Sequence, residues 1–567
     1  MSSSSLVKCL VACAVVASFG ASLSAQSARQ TARPPGEAPG AQLGPLVAEA
    51  TAVRIPTRSA SEFAAAAKAY ESVLARLRGI DRSALGLDDQ VDYDLLEAWL
   101  RTQLFEIVET KQHQLVPVSY FALGQTSGLF MRPGAIADAG VRGAIRELRA
   151  LPTILENGKK NLTTPARTWT ENALYQAYYA QLLLEHYVPT AVVDDPAVKT
   201  ELLAASREAL AAVQDFEQWL EHELLPRSTR PPTWKPEEID FYQLVFEQLD
   251  KYPVDEMLRI AEAEEKQLLV EMAELARQIH PSGDLRRVWE VMKDEAPPWE
   301  GVLPMAQRYV DMASDWLRGP GNHVVTIPEY IDYGAMITTP MGRRTLSFGG
   351  ASMGPTVAGR QSGYYVLTPL EDRLTPEEKA SRIRSYNPYW THVISYHEWL
   401  GHNVQIAARN EHVTRPMRRA FRSGYFSQAW SFYLEKLLED EGYYEVLPYM
   451  ERLKTSMARR QMRMWRVQRI VTKLKMAKGE MTFEEAVQAY IDKIGMEPTN
   501  AFIEVQRDCQ NPTPPGREII GELAILELRQ EYERRMGRHY SLKRFNDTLL
   551  TYGDLPFKQI RRLMFRD

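Results

Sequence analysis

Apolar residues recur at helical spacing through almost the whole chain from about residue 60, and this pattern confines the fold more than any other feature of the sequence. Residues 61–78, 90–112, 139–156, 168–188, 197–223 and 254–279 carry it in the first half, each with a charged outer face. It returns over 376–386, 390–409, 416–441, 446–478, 482–494, 517–537 and 541–551. Start signals fit: Thr375-Pro376-Glu377-Glu378 and Thr482 with Glu485 both read as capping boxes. One stretch breaks the pattern. Residues 322–368 are rich in Gly, Thr, Val and Tyr, and the runs Val324 to Ile327, Arg344 to Phe348 and Tyr364 to Thr368 predict a small β-element there. The expectation is an all-α, mainly helical chain of one or two lobes, with a lobe boundary near 320 and no fixed-period repeat.

A chain of 567 residues with 45% apolar and 25% charged residues can bury a sizeable core, which excludes disordered and collagenous classes. A formal charge of -5 without a long basic block leaves no electrostatic footprint for nucleic acid. Residues 1–25 read as an export signal: Lys8 gives positive charge, Leu10 to Leu23 an apolar stretch, and Ser22, Ser24 and Ala25 small residues for cleavage. That stretch is too short to span a membrane, so the mature chain is expected to have no stable membrane span. The competing reading is a lipoprotein box, Leu10-Val11-Ala12-Cys13, but its apolar segment after Lys8 is short. Residues 26–45, rich in Gln, Ala, Pro and Gly, read as a tether, with a flexible linker extending to residue 50 before the domain at 51–567. The predicted location is exported, periplasmic or secreted. Cleavage near Ala25 removes Cys9 and Cys13, leaving Cys509 alone, so stability must come from helix packing rather than disulfides.

Four histidines, His392, His397, His402 and His412, fall close together around the run Tyr396-His397-Glu398-Trp399-Leu400-Gly401-His402. Its core, H-E-x-x-G-H, resembles the zincin signature in which two histidines one turn apart bind zinc and a glutamate serves as base. The extra residue matters. At about 100° per residue, His397 and His402 would stand roughly 140° apart on a regular helix and could not share an ion. A π-bulge at Gly401 would bring them onto one face and send Trp399 and Leu400 into the core. The competing reading is an amphipathic helix with two hydrogen-bonded histidines; the adjacent glutamate and the glycine favour the metal.

A third ligand is expected from the following helix, which reads Gln428-Ala429-Trp430-Ser431-Phe432-Tyr433-Leu434-Glu435. Residues 428 and 435 share a face but stand two turns apart, so only one can reach the ion. A carboxylate is the better zinc ligand, which ranks Glu435 above Gln428; a solvated Glu435 paired with Lys436 is the competing reading.

Together these segments resemble the DUF885 family, exported bacterial proteins related to the all-helical gluzincin zinc peptidases. The resemblance runs from about residue 50 to the C-terminus. It rests on Asp92-Tyr93-Asp94-Leu95-Leu96, Gly363-Tyr364-Tyr365, Phe545-Asn546-Asp547 and Gly553-Asp554-Leu555-Pro556. The family motif usually reads H-E-x-x-P-G-H; this chain lacks the proline and matches in length the H-E-x-x-G-H of dipeptidyl-peptidase III enzymes. The family's E-G-W-A-L-Y maps onto Gln428 to Tyr433, placing Gln428 at its third-ligand position. Its aspartate, histidine and tyrosine fall on Lys473, Ala477 and Glu518.

The resemblance implies a two-lobed helical body with a central channel and one zinc ion acting on short peptides. Zinc would be held by His397, His402 and either Glu435 or Gln428, with Glu398 as general base and Tyr364 or Tyr365 as oxyanion donor. The alternative is an impaired or inactive member that binds peptides or a partner, consistent with the changed positions. The arginines of 446–478, Arg459, Arg460, Arg463, Arg466 and Arg469, read as a solvated or salt-bridged face, with a minor reading in which part of it binds a substrate carboxylate. Trp430 and Trp465 read as core, and Cys509 as structural.

Overall fold

The computed structural model describes residues 40–130, 138–337, 347–353, 359–371 and 373–566. It is mainly helical, as the periodicity requires, with one three-stranded sheet. The capping boxes at Thr375 and Thr482 both form.

Two apolar cores organise the helices. The smaller is built from residues between Tyr120 and Leu224, chiefly the helices Asp138–Asn161, Arg167–Leu182 and Pro196–Trp219. The larger takes in nearly everything else, and Leu317 and Val324, on either side of the expected boundary near 320, both belong to it. The division of cores thus falls around 120–224 rather than at 320. Trp430 and Trp465 lie in the larger core, and Cys509 is buried and free.

The expected linker ends early. Residues Leu43–Ala52 form a helix, because Leu43, Leu46, Val47 and Ala50 recur at helical spacing and bury one stripe against the body. Residues 1–25, expected to be an export signal, and most of the tether lie outside the described residues.

The sheet is displaced from the predicted runs. Its strands are β1 (Ile331–Ile337), β2 (Gly349–Met353) and β3 (Gln361–Leu367), in the order β1-β3-β2. β1 pairs parallel to β3 from Ile331↔Gln361 to Ile337↔Leu367, and β2 pairs antiparallel from Gly349↔Leu367 to Met353↔Gly363. Val324 to Ile327 is not a strand; Val324, Val325 and Ile327 join the core instead, while Thr326 is exposed. Of the run Arg344 to Phe348, residues 344–346 lie outside the described residues.

The sheet matters because β3 lies on the histidine motif. A Cβ at Gly363 would stand 3.0 Å from the Trp399 ring and 3.1 Å from Asn403, so only a glycine lets the strand come this close without adjustment. Asn403 donates its side-chain amide to the Tyr364 carbonyl at 3.1 Å. Trp399 is fully buried, stacks on Tyr333 of β1 and donates its indole N–H to Ser314 at 2.7 Å. These contacts fix the motif between the sheet and the helix Trp299–Arg318.

The charged pairs of the early Asp92 helix (Leu87–Leu104) tie distant segments together. Asp92 accepts from Arg415 at 2.6 Å and Arg418 at 2.9 Å, and Asp94 from Arg82 and Arg562. Removing Asp92 would leave two arginines without their buried partner.

Candidate metal and peptide site

The helix that begins at Pro388 with an Asn387 cap changes pitch at the motif. Residues His397–Asn403 form a π-helix, and regular helix resumes over Val404–His412. The wider turn places the rings of His397 and His402 with centroids 5.1 Å apart. One ligand atom each from His397, Glu398 and His402 lies within 4.8 Å of the others. Trp399 and Leu400 point into the core.

The reason Gly401 stands in the motif is packing rather than an unusual backbone angle. A Cβ there would meet Ser431 at 2.4 Å from Oγ, 2.5 Å from Cβ and 2.7 Å from Cα. The π-helix therefore rests directly on the helix Gly424–Asp440.

That helix supplies the outer partners of both rings. His397 Nδ1 bonds Glu435 Oε1 at 2.7 Å, and His402 Nδ1 bonds Ser427 Oγ at 3.2 Å. Occupied Nδ1 positions leave Nε2 of each ring for a ligand, the usual arrangement behind metal-bound imidazoles. Burial holds both histidines well below their ordinary pKa, with the Arg466 charge adding to it at His397 and the neighbouring His397 adding to it at His402. Burial thus favours the neutral, ligating form of both rings.

The sequence favours Glu435 over Gln428 as third ligand. The structure puts it at the far side of His397, fully buried, where it also accepts from Arg466 at 3.4 Å; its Oε2 has no hydrogen-bond partner. Among the described residues it is not in the group whose ligand atoms lie together, and it is not the solvated partner of Lys436, which pairs with Asp440. Gln428 lies half-buried one residue beyond Ser427 on the same helix.

Burial pushes Glu398 up to about 8, opposed chiefly by Arg466, and pushes Glu435 up to about 7, again opposed chiefly by Arg466. A cation held between the histidines would favour the ionised form of Glu398. Glu398 and His402 keep the open edge of the site, with side chains 13% and 10% exposed.

The two tyrosines of β3 part company, since neighbouring strand residues face opposite ways. Tyr365 is fully buried, its hydroxyl has no hydrogen-bond partner, and the Glu398 carboxylate is near enough to help raise its pKa. Tyr364 is half-buried and contributes its backbone carbonyl to Asn403.

Other expected positions resolve into structural roles. Lys473 is buried and donates to the carbonyls of Asn511 at 2.5 Å and Thr513 at 2.7 Å, clamping that loop. His392 is a core histidine, bonded to the Tyr443 hydroxyl at 2.8 Å and stacked on Tyr309. His412 is exposed.

The arginine face of the helix Tyr449–Ala477 is salt-bridged, as one of the two readings expected, rather than solvated. Arg459, Arg466 and Arg469 are buried, because the helix runs through the larger core. Glu518, half of an ion pair with Arg469, is buried close enough for its charge to act on both motif histidines. No spacing rule links Glu518 or Arg466 to the motif, since both arrive on separate helices. The open cavity of about 530 Å³ lined by Arg82, Asp94, Arg101 and Lys558 contains none of the motif residues.

The match to a known family covers residues 41–564 and is described as a bacterial protein of unknown function, DUF885. The chain belongs to the DUF885 family. Two solved structures share this DUF885 fold. One, a candidate lipoprotein of unknown function from Shewanella oneidensis, has a TM-score of 0.70 at 19% identity, covering 92% of this chain and 97% of that one. The other, a candidate lipoprotein from Colwellia psychrerythraea, has a TM-score of 0.72 at 18% identity, covering 93% and 99%. No curated protein matches the chain. Among the described residues, no helix is long and apolar enough to cross a membrane.

Proposed function

We propose that this DUF885 chain is an exported zinc peptidase acting on short peptides. The observation that carries the reading is the π-helix that turns His397, Glu398 and His402 into one cluster, with both Nδ1 atoms already engaged. Two neutral imidazoles suit zinc, and a bound ion would polarise the scissile carbonyl.

The protein's own groups would do the rest. Glu435 and Ser427 hold the two rings in place through Nδ1. Glu398, at the open edge, takes a proton from the attacking water and delivers it to the leaving amine. The Tyr365 hydroxyl, buried without a partner beside Glu398, is a donor for the oxygen on which charge develops. Small exposure at Glu398 and His402 admits a narrow substrate, which favours short peptides. For the location, the two structural neighbours named as candidate lipoproteins lend weight to the Cys13 alternative beside cleavage near Ala25.

A second reading has one observation in its favour. Among the described residues, no acidic or histidine side chain other than Glu398 joins the two histidines within the cluster. A peptide-binding or partner-binding member without turnover fits that arrangement.

Hydrolysis of a mixed short-peptide library by the zinc-loaded protein separates the two. We expect chelator-sensitive cleavage that falls by about 10²-fold or more in Glu398→Gln. Cleavage that persists unchanged in Glu398→Gln would remove the assigned base.

A further inference from the structure

The helix Tyr449–Ala477 buries several arginines, and they are not paired alike. Arg463 has Glu264 at 2.5 Å and Glu522 at 2.7 Å. Arg469 has Glu504 at 2.9 Å and also Glu518. Arg459 sits against Glu439. Arg466 differs. Its carboxylate contact is Glu435 at 3.4 Å, a group already committed to His397. Its Nη1 donates to the Met462 carbonyl at 3.2 Å; its buried Nε has no hydrogen-bond partner, as is also true of Arg469, so it is the long, shared carboxylate contact that sets Arg466 apart.

This under-paired guanidinium meets the site through Glu435, whose Oε1 it shares with His397. It is 4% exposed, lies over the Trp465 ring at 4.5 Å, and is the leading charged influence on Glu398, His397 and Glu435. Burying a cation with unmet donors is costly unless a partner arrives. A guanidinium fork matches a carboxylate, and the flanking aromatic surface keeps water from competing.

We propose that Arg466 is the anchor for a substrate carboxylate, and that the site takes short peptides by a free C-terminal carboxylate close to the scissile bond. This rests on the peptidase reading and narrows it to removal of one or a few C-terminal residues. The carboxylate would occupy the unmet donors of Arg466 and fix the peptide bond over Glu398. An aspartate or glutamate side chain offers the same chemistry, so the test must tell the two sources apart.

The test uses the full mature protein carrying Glu398→Gln, with zinc added, and reads binding by calorimetry. The probes are one short neutral peptide as the free acid, the same peptide as its C-terminal amide, and an amide ending in glutamate. Cleavage of the same three is followed with the unaltered protein. We expect the free acid to bind roughly 10- to 100-fold tighter than the neutral amide, the scale of a charge-assisted hydrogen bond. Arg466→Lys should retain part of that preference, and Arg466→Met should abolish it. Equal binding of acid and neutral amide by the unsubstituted Arg466 protein overturns the anchor, and needs no variant to fold. Tighter binding of the glutamate amide than of the free acid overturns the C-terminal assignment. Selective binding of the free acid without cleavage supports the anchor while defeating the peptidase reading.

Discussion

Replacing Gly401 by alanine tests whether the motif depends on close helix contact. The new Cβ would stand 2.7 Å from the Ser431 Cα, which is backbone and cannot rotate away. Ordinary carbon contacts begin near 3.5 Å, so the π-helix and the helix Gly424–Asp440 must part by about 0.8 Å. Overpacking of this kind costs about 1–3 kcal/mol. The shift also moves the two histidines relative to Glu435 and Ser427, which grip them from the helix being pushed away. Urea denaturation and zinc titration of Gly401→Ala should therefore show lost stability and weakened metal binding together. Adding Ser431→Gly removes the clashes with Oγ and Cβ but leaves Cα, so it should restore only part of either. A stability change below about 0.5 kcal/mol, the range of an ordinary surface substitution, with unchanged zinc binding would refute the packing argument.

Glu435→Ala should weaken zinc binding by about 10- to 100-fold through loss of the His397 hydrogen bond, and more than Gln428→Ala does; the reverse order in a competitive chelator titration would make Gln428 the ligand that matters. A pH effect is expected elsewhere. Glu247 is buried, accepts from the Gly424 N–H at 3.1 Å and from Ser423 at the start of the site helix, and burial raises it to about 7. Because its folded pKa lies above the unfolded value near 4.5, its contribution is fully present below pH 4.5 and is lost as pH rises through 7. The whole step is about 3 kcal/mol from the 1.36 kcal/mol per unit relation. Denaturation midpoints between pH 5 and pH 7 should accordingly fall less steeply in Glu247→Gln, and an unchanged slope would contradict the assignment.

The helical frame was legible because burial leaves a 3.6-residue imprint, and the π-bulge was legible because one inserted residue would otherwise separate two histidines. What the motif could not reveal was how its outer positions are filled. Glu435 and Gln428 share a face of one helix, and only the tertiary packing decides that Glu435 meets Nδ1 of His397 from behind. The arginines of 449–477 carry the pattern of a charged surface, yet carboxylates from other helices let most of them sit inside. The strands lie several residues from the β-rich runs of the sequence, since Gly and Thr mark such a stretch without fixing register. The early helix at Leu43–Ala52 was hidden by the Pro- and Gly-rich residues just before it.

The central claim is that His397 and His402 hold one metal ion. Metal analysis of the purified mature protein, with His397→Ala and His402→Ala beside it, tests this most directly. The expected result is one zinc per chain, removable by chelator and lost in both variants. Failure to take up zinc on reconstitution, or the same zinc content in either variant, would contradict it.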